Sequence, residues 1–264
     1  MPHADLSAPS SWRAAGESLV ALSVATDGRL FVLGAEGIQP VPREVFASYN
    51  FTTVLNEETI GTGGLAPSDL DATNGQDFYV ADGARVLRFS DEGLLVQTLD
   101  IASVDAPPIA TGPTLLPGEA VAVAAGADGQ LYVAEVTRGT VQVWRDGALA
   151  DVLGGVGQPV ALASRGRTLY VADASLPGVR VLGANGREVR QIRDEHLETV
   201  VSISLAGDTL VALSREAVVL FGADGARLHV VPISGGAALL DAVVVDGRLF
   251  VLTSDAVHGL GRLE

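Results

Sequence analysis

One pattern of strands and turns recurs six times along the 264 residues, about every 40 positions, and few architectures accommodate it. Each copy contains an apolar run that alternates with period two, a glycine turn such as Asp128-Gly129, a bulky residue followed by a small apolar one, and a second alternating run. Strands joined by such turns form hairpins, and four strands per copy form a meander that cannot cover both of its faces by itself. The bulky pairs are Phe31-Val32, Tyr79-Val80, Tyr132-Val133, Tyr170-Val171, Val211-Ala212 and Phe250-Val251.

The repeat count and the alternation together predict an all-β fold. Specifically, they predict a six-bladed β-propeller with four-stranded antiparallel blades, in which neighbouring blades cover each other's faces. The period-two run at residues 19–24 excludes a helical repeat. We expect one domain over residues 1–264. Because the last blade shows only three strands before the chain ends, we expect the N-terminal segment, residues 1–16, to supply its outer strand and close the ring.

Two blades carry a more specific pattern. Blade two contains Tyr79-Val80-Ala81-Asp82 followed by Arg85-Val86-Leu87-Arg88-Phe89, and blade four contains Pro159-Val160-Ala161-Leu162 followed by Tyr170-Val171-Ala172-Asp173. These motifs resemble the NHL repeat, and the resemblance extends over residues 17–263. The chain contains no Trp-Asp dipeptide, which argues against a WD40 propeller. The motif ends in an acidic residue, which is Asp82 in blade two, Glu135 in blade three and Asp173 in blade four. We expect each of them to bond backbone amides of its own turn.

The first strand of each blade lines the channel of a propeller, with alternate side chains pointing inward. Most inward positions hold small residues, and the exceptions are Asp69 and Asp71 of blade two and Asp241 of blade six. With Ser202 and Ser204 beside them, these carboxylates offer the oxygen ligands that Ca²⁺ or Mg²⁺ prefers, and without a cation their mutual repulsion is expected to raise at least one pKa. The alternative is that the carboxylates hydrogen-bond strand amides or channel water.

The charge balance and the missing residue types exclude several classes of function. The chain has 32 acidic and 17 basic residues, a net charge of −15, so we expect no nucleic-acid partner. Without Cys or Lys it has no thiolate zinc ligand, cysteine nucleophile, Walker A loop or Schiff-base lysine. No apolar run reaches the ~18 residues of a membrane span. We expect a cytoplasmic protein if Met1 is the native start, and a periplasmic or extracellular one if a signal peptide preceded it.

Two connections between blades are longer than the repeat requires, at residues 42–66 and 100–119. Long loops on a rigid scaffold are common recognition elements, although a connection can also be a linker without further consequence. Glu119 and His196 lie in connections and are candidate contacts at the channel mouth, together with the two serines.

Two functions remain after these exclusions. The first is a non-enzymatic binding or scaffold propeller, a monomer, that recognises a protein, peptide or glycan through the loop-bearing face at the channel mouth. The second is a divalent-cation-dependent hydrolase of lactone or ester type, because six-bladed lactonases are similar in fold and hold a catalytic Ca²⁺ in the channel. Those enzymes use Asn, Asp and Glu ligands from several blades, and no channel Asn or Glu is evident in this sequence.

Overall fold

The computed structural model consists of β-strands and short turns. Its helical content is one 3₁₀ turn, Ala127–Gly129, within the part of the chain that is described. That part comprises residues 4–5, 11–12, 18–35, 37–41, 53–54, 67–72, 77–101, 120–234 and 236–263.

The strands are numbered β1 to β25 in chain order and form six sheets. Two short strands come first, β1 (Ala4–Asp5) and β2 (Ser11–Trp12). Blade one consists of β3 (Leu19–Val24), β4 (Leu30–Gly34), β5 (Gly37–Pro40) and β6 (Thr53–Val54). Blade two consists of β7 (Pro67–Asp71), β8 (Asp77–Asp82), β9 (Arg85–Ser90) and β10 (Leu95–Asp100). Blade three consists of β11 (Ala120–Ala125), β12 (Gln130–Glu135), β13 (Thr140–Arg145) and β14 (Ala148–Leu153).

The remaining strands complete the last three blades. Blade four consists of β15 (Pro159–Arg165), β16 (Thr168–Asp173), β17 (Val179–Leu182) and β18 (Glu188–Ile192). Blade five consists of β19 (Val200–Ala206), β20 (Thr209–Ser214), β21 (Ala217–Phe221) and β22 (Arg227–Ser234). Blade six contains β23 (Leu239–Val245), β24 (Arg248–Thr253) and β25 (Val257–Arg262).

The six sheets form a closed ring. Each inner strand contacts the inner strand of the next blade, and β23 of blade six contacts β3 of blade one. The predicted six-bladed β-propeller is therefore confirmed. None of the described residues forms a helix long and apolar enough to cross a membrane.

The N-terminal segment joins two blades. Strand β2 pairs antiparallel with β25, with Trp12 opposite Val257, and thereby supplies the fourth strand of blade six, as the sequence predicted. Strand β1 pairs parallel with β22, with Ala4 opposite Ile233, and adds a fifth strand to blade five that the sequence did not predict. A pairing of two residues has no periodicity of its own, so the repeat pattern could not reveal it.

The first long connection contains a strand. Thr53–Val54 pairs with Gly37 and Ile38 of β5, so part of residues 42–66 is the outer strand of blade one and not a loop. Similarly, Asp100 is the last residue of β10. The structure does not describe residues 42–52, 55–66 and 102–119, and Glu119 therefore lies outside the described residues.

The hydrophobic core consists of six clusters, one between each pair of neighbouring blades. The bulky residue of each repeated pair faces the next blade, whereas its small neighbour faces the previous one. Phe31, for example, packs edge-on against Phe78 of blade two with ring centroids 4.8 Å apart, and Val32 packs toward blade six. Period-two alternation thus gives every strand two buried faces, because a blade has neighbours on both sides.

Candidate functional site

Every inner strand has a register shift at the equivalent place, near its start. In blade six the first residue after the shift is Asp241, and it is among the residues that line the channel cavity. The expected inward residues Ala21, Ala122 and Ala124 pack instead in the clusters between blades. The six shifts lie between Leu19 and Ala21, Pro67 and Asp69, Ala120 and Ala122, Pro159 and Ala161, Val200 and Ser202, and Leu239 and Asp241.

The channel contains a cavity of about 80 Å³ that brings together Asp69, Asp71, Asp241, Ser202 and Ser204. Most other lining residues are Ala, Val and Leu, and the lining extends from the middle of the inner strands to their C-terminal ends. Pockets for organic ligands usually measure ~300–1,000 Å³. The channel cavity therefore has room for a few water molecules or a single ion.

The two carboxylates of blade two bind the backbone of blade three. Asp69 Oδ2 accepts a hydrogen bond from the amide of Val123 at 2.8 Å, and Oδ1 accepts one from the amide of Leu70 at 2.9 Å. Asp71 Oδ2 accepts one from the amide of Ala125 at 2.8 Å. Because the channel side of an inner strand has no further strand to pair with, these carboxylates satisfy amides that would otherwise lack an acceptor.

Asp241 makes the same kind of connection where the ring closes. Its Oδ2 accepts a hydrogen bond from the amide of Leu22 in blade one at 2.7 Å, and its Oδ1 accepts one from the amide of Ala242 at 2.7 Å. Ser204 Oγ donates to the carbonyl oxygen of Ala242 at 2.8 Å and thereby joins blade five to blade six. Ser202 faces Asp241, but its hydroxyl is not aligned for a regular hydrogen bond with any described residue.

Two of the channel carboxylates have raised pKa values. Burial raises the pKa of Asp241 to about 6, although the hydrogen bonds from the amides of Leu22 and Ala242 and the nearby Ser202 hydroxyl act to lower it. Burial also raises the pKa of Asp69 well above its usual range, and repulsion from Asp241 and Asp71 adds to the effect. The predicted direction is confirmed, but loss of hydration is the larger cause and mutual repulsion the smaller one.

The described residues contain no group of three His, Asp or Glu side chains arranged to hold a metal ion. The channel carboxylates point instead at backbone amides, which is the alternative that the sequence left open. The residues present therefore do not match a ligand cage, and Ca²⁺ or Mg²⁺ at Asp69, Asp71 and Asp241 stays a prediction.

Comparison with known proteins supports the fold. A Staphylococcus aureus virginiamycin B lyase, solved as a catalytically inactive histidine-to-alanine variant with quinupristin, is 10% identical over 96% of this chain and 98% of that chain, with a TM-score of 0.66. A streptogramin B lyase is also 10% identical, over 96% and 97%, with a TM-score of 0.65. A chain of the mitotic checkpoint complex is 12% identical over 92% and 73%, with a TM-score of 0.60. These likenesses show the propeller fold alone.

No family model and no curated protein matches the chain. The NHL type of the repeat accordingly stays a prediction, whereas the six-bladed propeller that it implied is confirmed.

The structure does not bring His196 to the channel carboxylates. His196 lies in the exposed connection between β18 and β19, where its backbone amide donates to Asp194 Oδ1 at 3.0 Å. Its ring Nε2 is 3.9 Å from Glu195 Oε1, and the residue is not part of the channel lining.

The acidic residues that end the repeated motif have structural partners in their own blades. Glu135 accepts a hydrogen bond from the amide of Arg138 at 3.1 Å, as predicted. Asp82 accepts one from the guanidinium Nε of Arg85 at 2.7 Å. Asp173 has the most complete set of hydrogen-bond donors, because backbone amides and an arginine side chain both donate to it. The expected bonding of turn amides is confirmed for this residue.

The contacts of Asp173 also explain its pKa. Burial acts to raise the pKa, but hydrogen bonds from Ser175, from the amide of Gln158 at 2.9 Å and from Arg180 Nε at 2.9 Å outweigh burial and lower it below its usual value. This carboxylate is therefore fixed in its charged form, as a residue that organises a turn and not as a proton donor.

A larger cavity lies outside the channel, at a place that the sequence does not indicate. A cleft of about 340 Å³ between blades two and three contains Arg88, Gln97 and Asp146. The sequence does show the Asp146-Gly147 turn and the motif that contains Arg88, but they belong to different blades and meet only when blades two and three pack together.

Proposed function

We propose that this chain is a non-enzymatic binding or scaffold propeller that recognises a protein, peptide or glycan through its surface, first of all through the face that bears the long connections. One observation carries the proposal: the three channel carboxylates and Ser204 are engaged in joining blades. The carboxylates bind amides of neighbouring inner strands, and the cavity between them measures about 80 Å³. An organic substrate has no room there, so the outer surfaces remain for recognition.

The structural neighbours are compatible with this function. One of them belongs to the mitotic checkpoint complex, in which a propeller takes part in a protein assembly. The lyase neighbours are enzymes, and the inactive variant of one of them replaces a histidine. No histidine is found among the described residues that line the channel cavity of this chain, so lyase chemistry gains no support from its site.

The alternative is a divalent-cation-dependent hydrolase of lactones or esters. Its one supporting observation is that Asp69, Asp71 and Asp241 line the same cavity. A bound cation would polarise a substrate carbonyl or a water molecule. Because the three carboxylates already accept backbone hydrogen bonds, a cation would have to displace those contacts.

Two measurements separate these functions. Thermal melts with CaCl₂ or EDTA, and hydrolysis assays with lactone and ester substrates, should show neither a shift nor turnover in the wild type. Cation-dependent turnover that disappears in Asp69→Ala and Asp241→Ala would overturn the binding proposal.

The binding face is tested with a variant in which residues 102–119 are replaced by a short Gly-Ser linker. Partners cross-linked to the wild-type protein in its source cells are compared with those cross-linked to this variant. We expect the variant to lose partners, and equal recovery of all partners would remove this connection from the binding face.

A further inference from the structure

The cleft between blades two and three, called the first cleft, lies at the end of the blades opposite to the interblade connections. It opens beside the turns that join the first to the second strand and the third to the fourth strand of blade three. Leu99, Leu131 and Trp144 contribute apolar surface. Its polar lining consists of Asp77, Arg88, Gln97, Asp128, Gln130 and Asp146.

A second cleft of about 260 Å³ lies in the equivalent place between blades three and four. It contains Tyr132, Arg145, Asp151 and Asn185, and it shares Gln130 with the first cleft. Tyr132 donates a hydrogen bond from its hydroxyl to Gln130 Oε1 at 3.2 Å. The two clefts are therefore neighbours with one residue in common.

A glycine in a turn of blade three lies at the rim of the first cleft. Gly147 has a φ of 77°, and a Cβ atom on it would collide with the carboxamide of Gln97 in blade two. The turn thus lies against the end of the Gln97 side chain, which belongs to the outer strand of the preceding blade. This contact forms one rim of the first cleft and brings Asp146, the residue before Gly147, to its edge.

The first cleft contains hydrogen-bond donors and acceptors side by side. Arg88 Nη2 donates to Asp77 Oδ2 at 2.9 Å, while the guanidinium carbon is 6.0 Å from the centroid of the Tyr79 ring. The Nε atom of Arg88 is buried and has no partner among the described residues. A buried N–H favours an acceptor, so this atom points to a ligand or water oxygen in the cleft.

This mixture of groups selects among ligand classes. A cationic ligand would meet the guanidinium of Arg88 and leave its Nε–H without an acceptor. An anionic ligand would meet the carboxylates of Asp77, Asp128 and Asp146 in a chain whose net charge is −15. A neutral ligand with many hydroxyl groups can accept from the guanidinium, donate to the carboxylates, and do both with Gln97 and Gln130.

The dimensions agree with a small polyhydroxy ligand. A volume of about 340 Å³ is near the lower limit of ligand pockets, ~300–1,000 Å³. The adjacent second cleft repeats the combination of an arginine, a carboxylate and carboxamides. A ligand made of repeated units would therefore find similar chemistry in both clefts.

We propose that the two clefts bind consecutive units of a neutral glycan. Arg88, Asp146 and Gln97 bind the first unit, and Gln130 lies at the junction with the second. The described residues that line the clefts do not belong to the long connections, so this inference goes beyond the proposed function and can fail without it.

The test is binding of maltose, cellobiose, lactose and chitobiose, measured by saturation-transfer NMR and calorimetry. Arginine amide and inorganic phosphate serve as cationic and anionic comparison probes. The perturbing variant is Asp146→Gly and its matched control is Asp246→Gly. Both aspartates have a φ of 50° in a two-residue turn before a glycine, and glycine adopts this conformation easily, so both variants should fold.

We expect at least one disaccharide to bind the wild type and Asp246→Gly equally, and to bind Asp146→Gly about tenfold more weakly, as expected for loss of one hydrogen bond to a charged group. The proposal is overturned if no disaccharide binds, if both variants bind as the wild type does, or if only arginine amide or phosphate binds. Melting curves confirm that the variants are folded.

Discussion

Acid should stabilise this protein, because Asp241 is buried and has a raised pKa. An aspartate in an unfolded chain has a pKa of about 3.9, whereas burial raises that of Asp241 to about 6. Below both values the side chain is neutral in either state. As the pH rises toward 6 and above, the Asp241 carboxyl of the unfolded chain is already ionised in water. In the folded protein the same carboxyl must ionise inside the channel, where burial disfavours the charged form. The stabilising contribution is therefore present at about pH 4 and lost through about pH 6.

The magnitude follows from the difference between the two pKa values. One pKa unit corresponds to ~1.4 kcal/mol, and the unfolded carboxyl is already about half ionised at pH 4, so Asp241 alone makes the free energy of unfolding about 2 kcal/mol larger near pH 4 than at pH 7.5. Asp69 acts in the same direction, because its pKa is raised as well. Asp173 has a lowered pKa, so its contribution is lost only in stronger acid and does not cancel the effect above pH 4.

The assay is urea unfolding at pH 4.5, 5.5, 6.5 and 7.5, followed by tryptophan fluorescence. The free energy of unfolding should decrease with increasing pH in the wild type. It should change less in Asp241→Asn, which keeps the size of the side chain and removes its titration. Asp246→Asn is the control, because Asp246 lies exposed in a turn of the same blade. A wild-type stability that stays constant or increases from pH 4.5 to 7.5, or an identical pH dependence in Asp241→Asn, would refute the reasoning.

Three further perturbations test the architecture. Deletion of residues 1–16 removes the strand that completes blade six, so the melting temperature should fall sharply, and an unchanged value would contradict closure by this segment. Phe31→Ala leaves a cavity between blades one and two and should cost about 3–5 kcal/mol in urea unfolding, whereas a loss below 1 kcal/mol would show that the site collapses around the gap. Gly139→Ala should be more destabilising than Gly166→Ala, because both glycines have positive φ but only a Cβ on Gly139 would collide with a backbone atom, the carbonyl oxygen of Gly157. Equal losses in the two glycine variants would mean that these two backbone segments do not lie so close together.

The fold could be predicted because the repeat determines it locally. The alternation around Tyr79-Val80 or Tyr170-Val171 requires strands with two buried faces, and the glycine turns set their length. The channel positions of Asp69 and Asp241 also followed from this register, which all six blades share. By contrast, two short strands have no periodic pattern, so the sequence did not predict them. They are Thr53–Val54 in blade one and Ala4–Asp5, which joins blade five.

The sequence by itself determined the number of blades and placed Asp69, Asp71 and Asp241 in the channel, because period two and turn spacing are local properties of the chain. Only the tertiary structure decided what those side chains bind. Asp241 and the amide of Leu22 are 219 positions apart, and they meet because blade six closes on blade one. Likewise, Arg88, Gln97 and Asp146 line one cleft because two blades pack against each other. Contacts across blades depend on the closed ring, and for this reason the repeat predicted the carboxylates in the channel but not their amide partners.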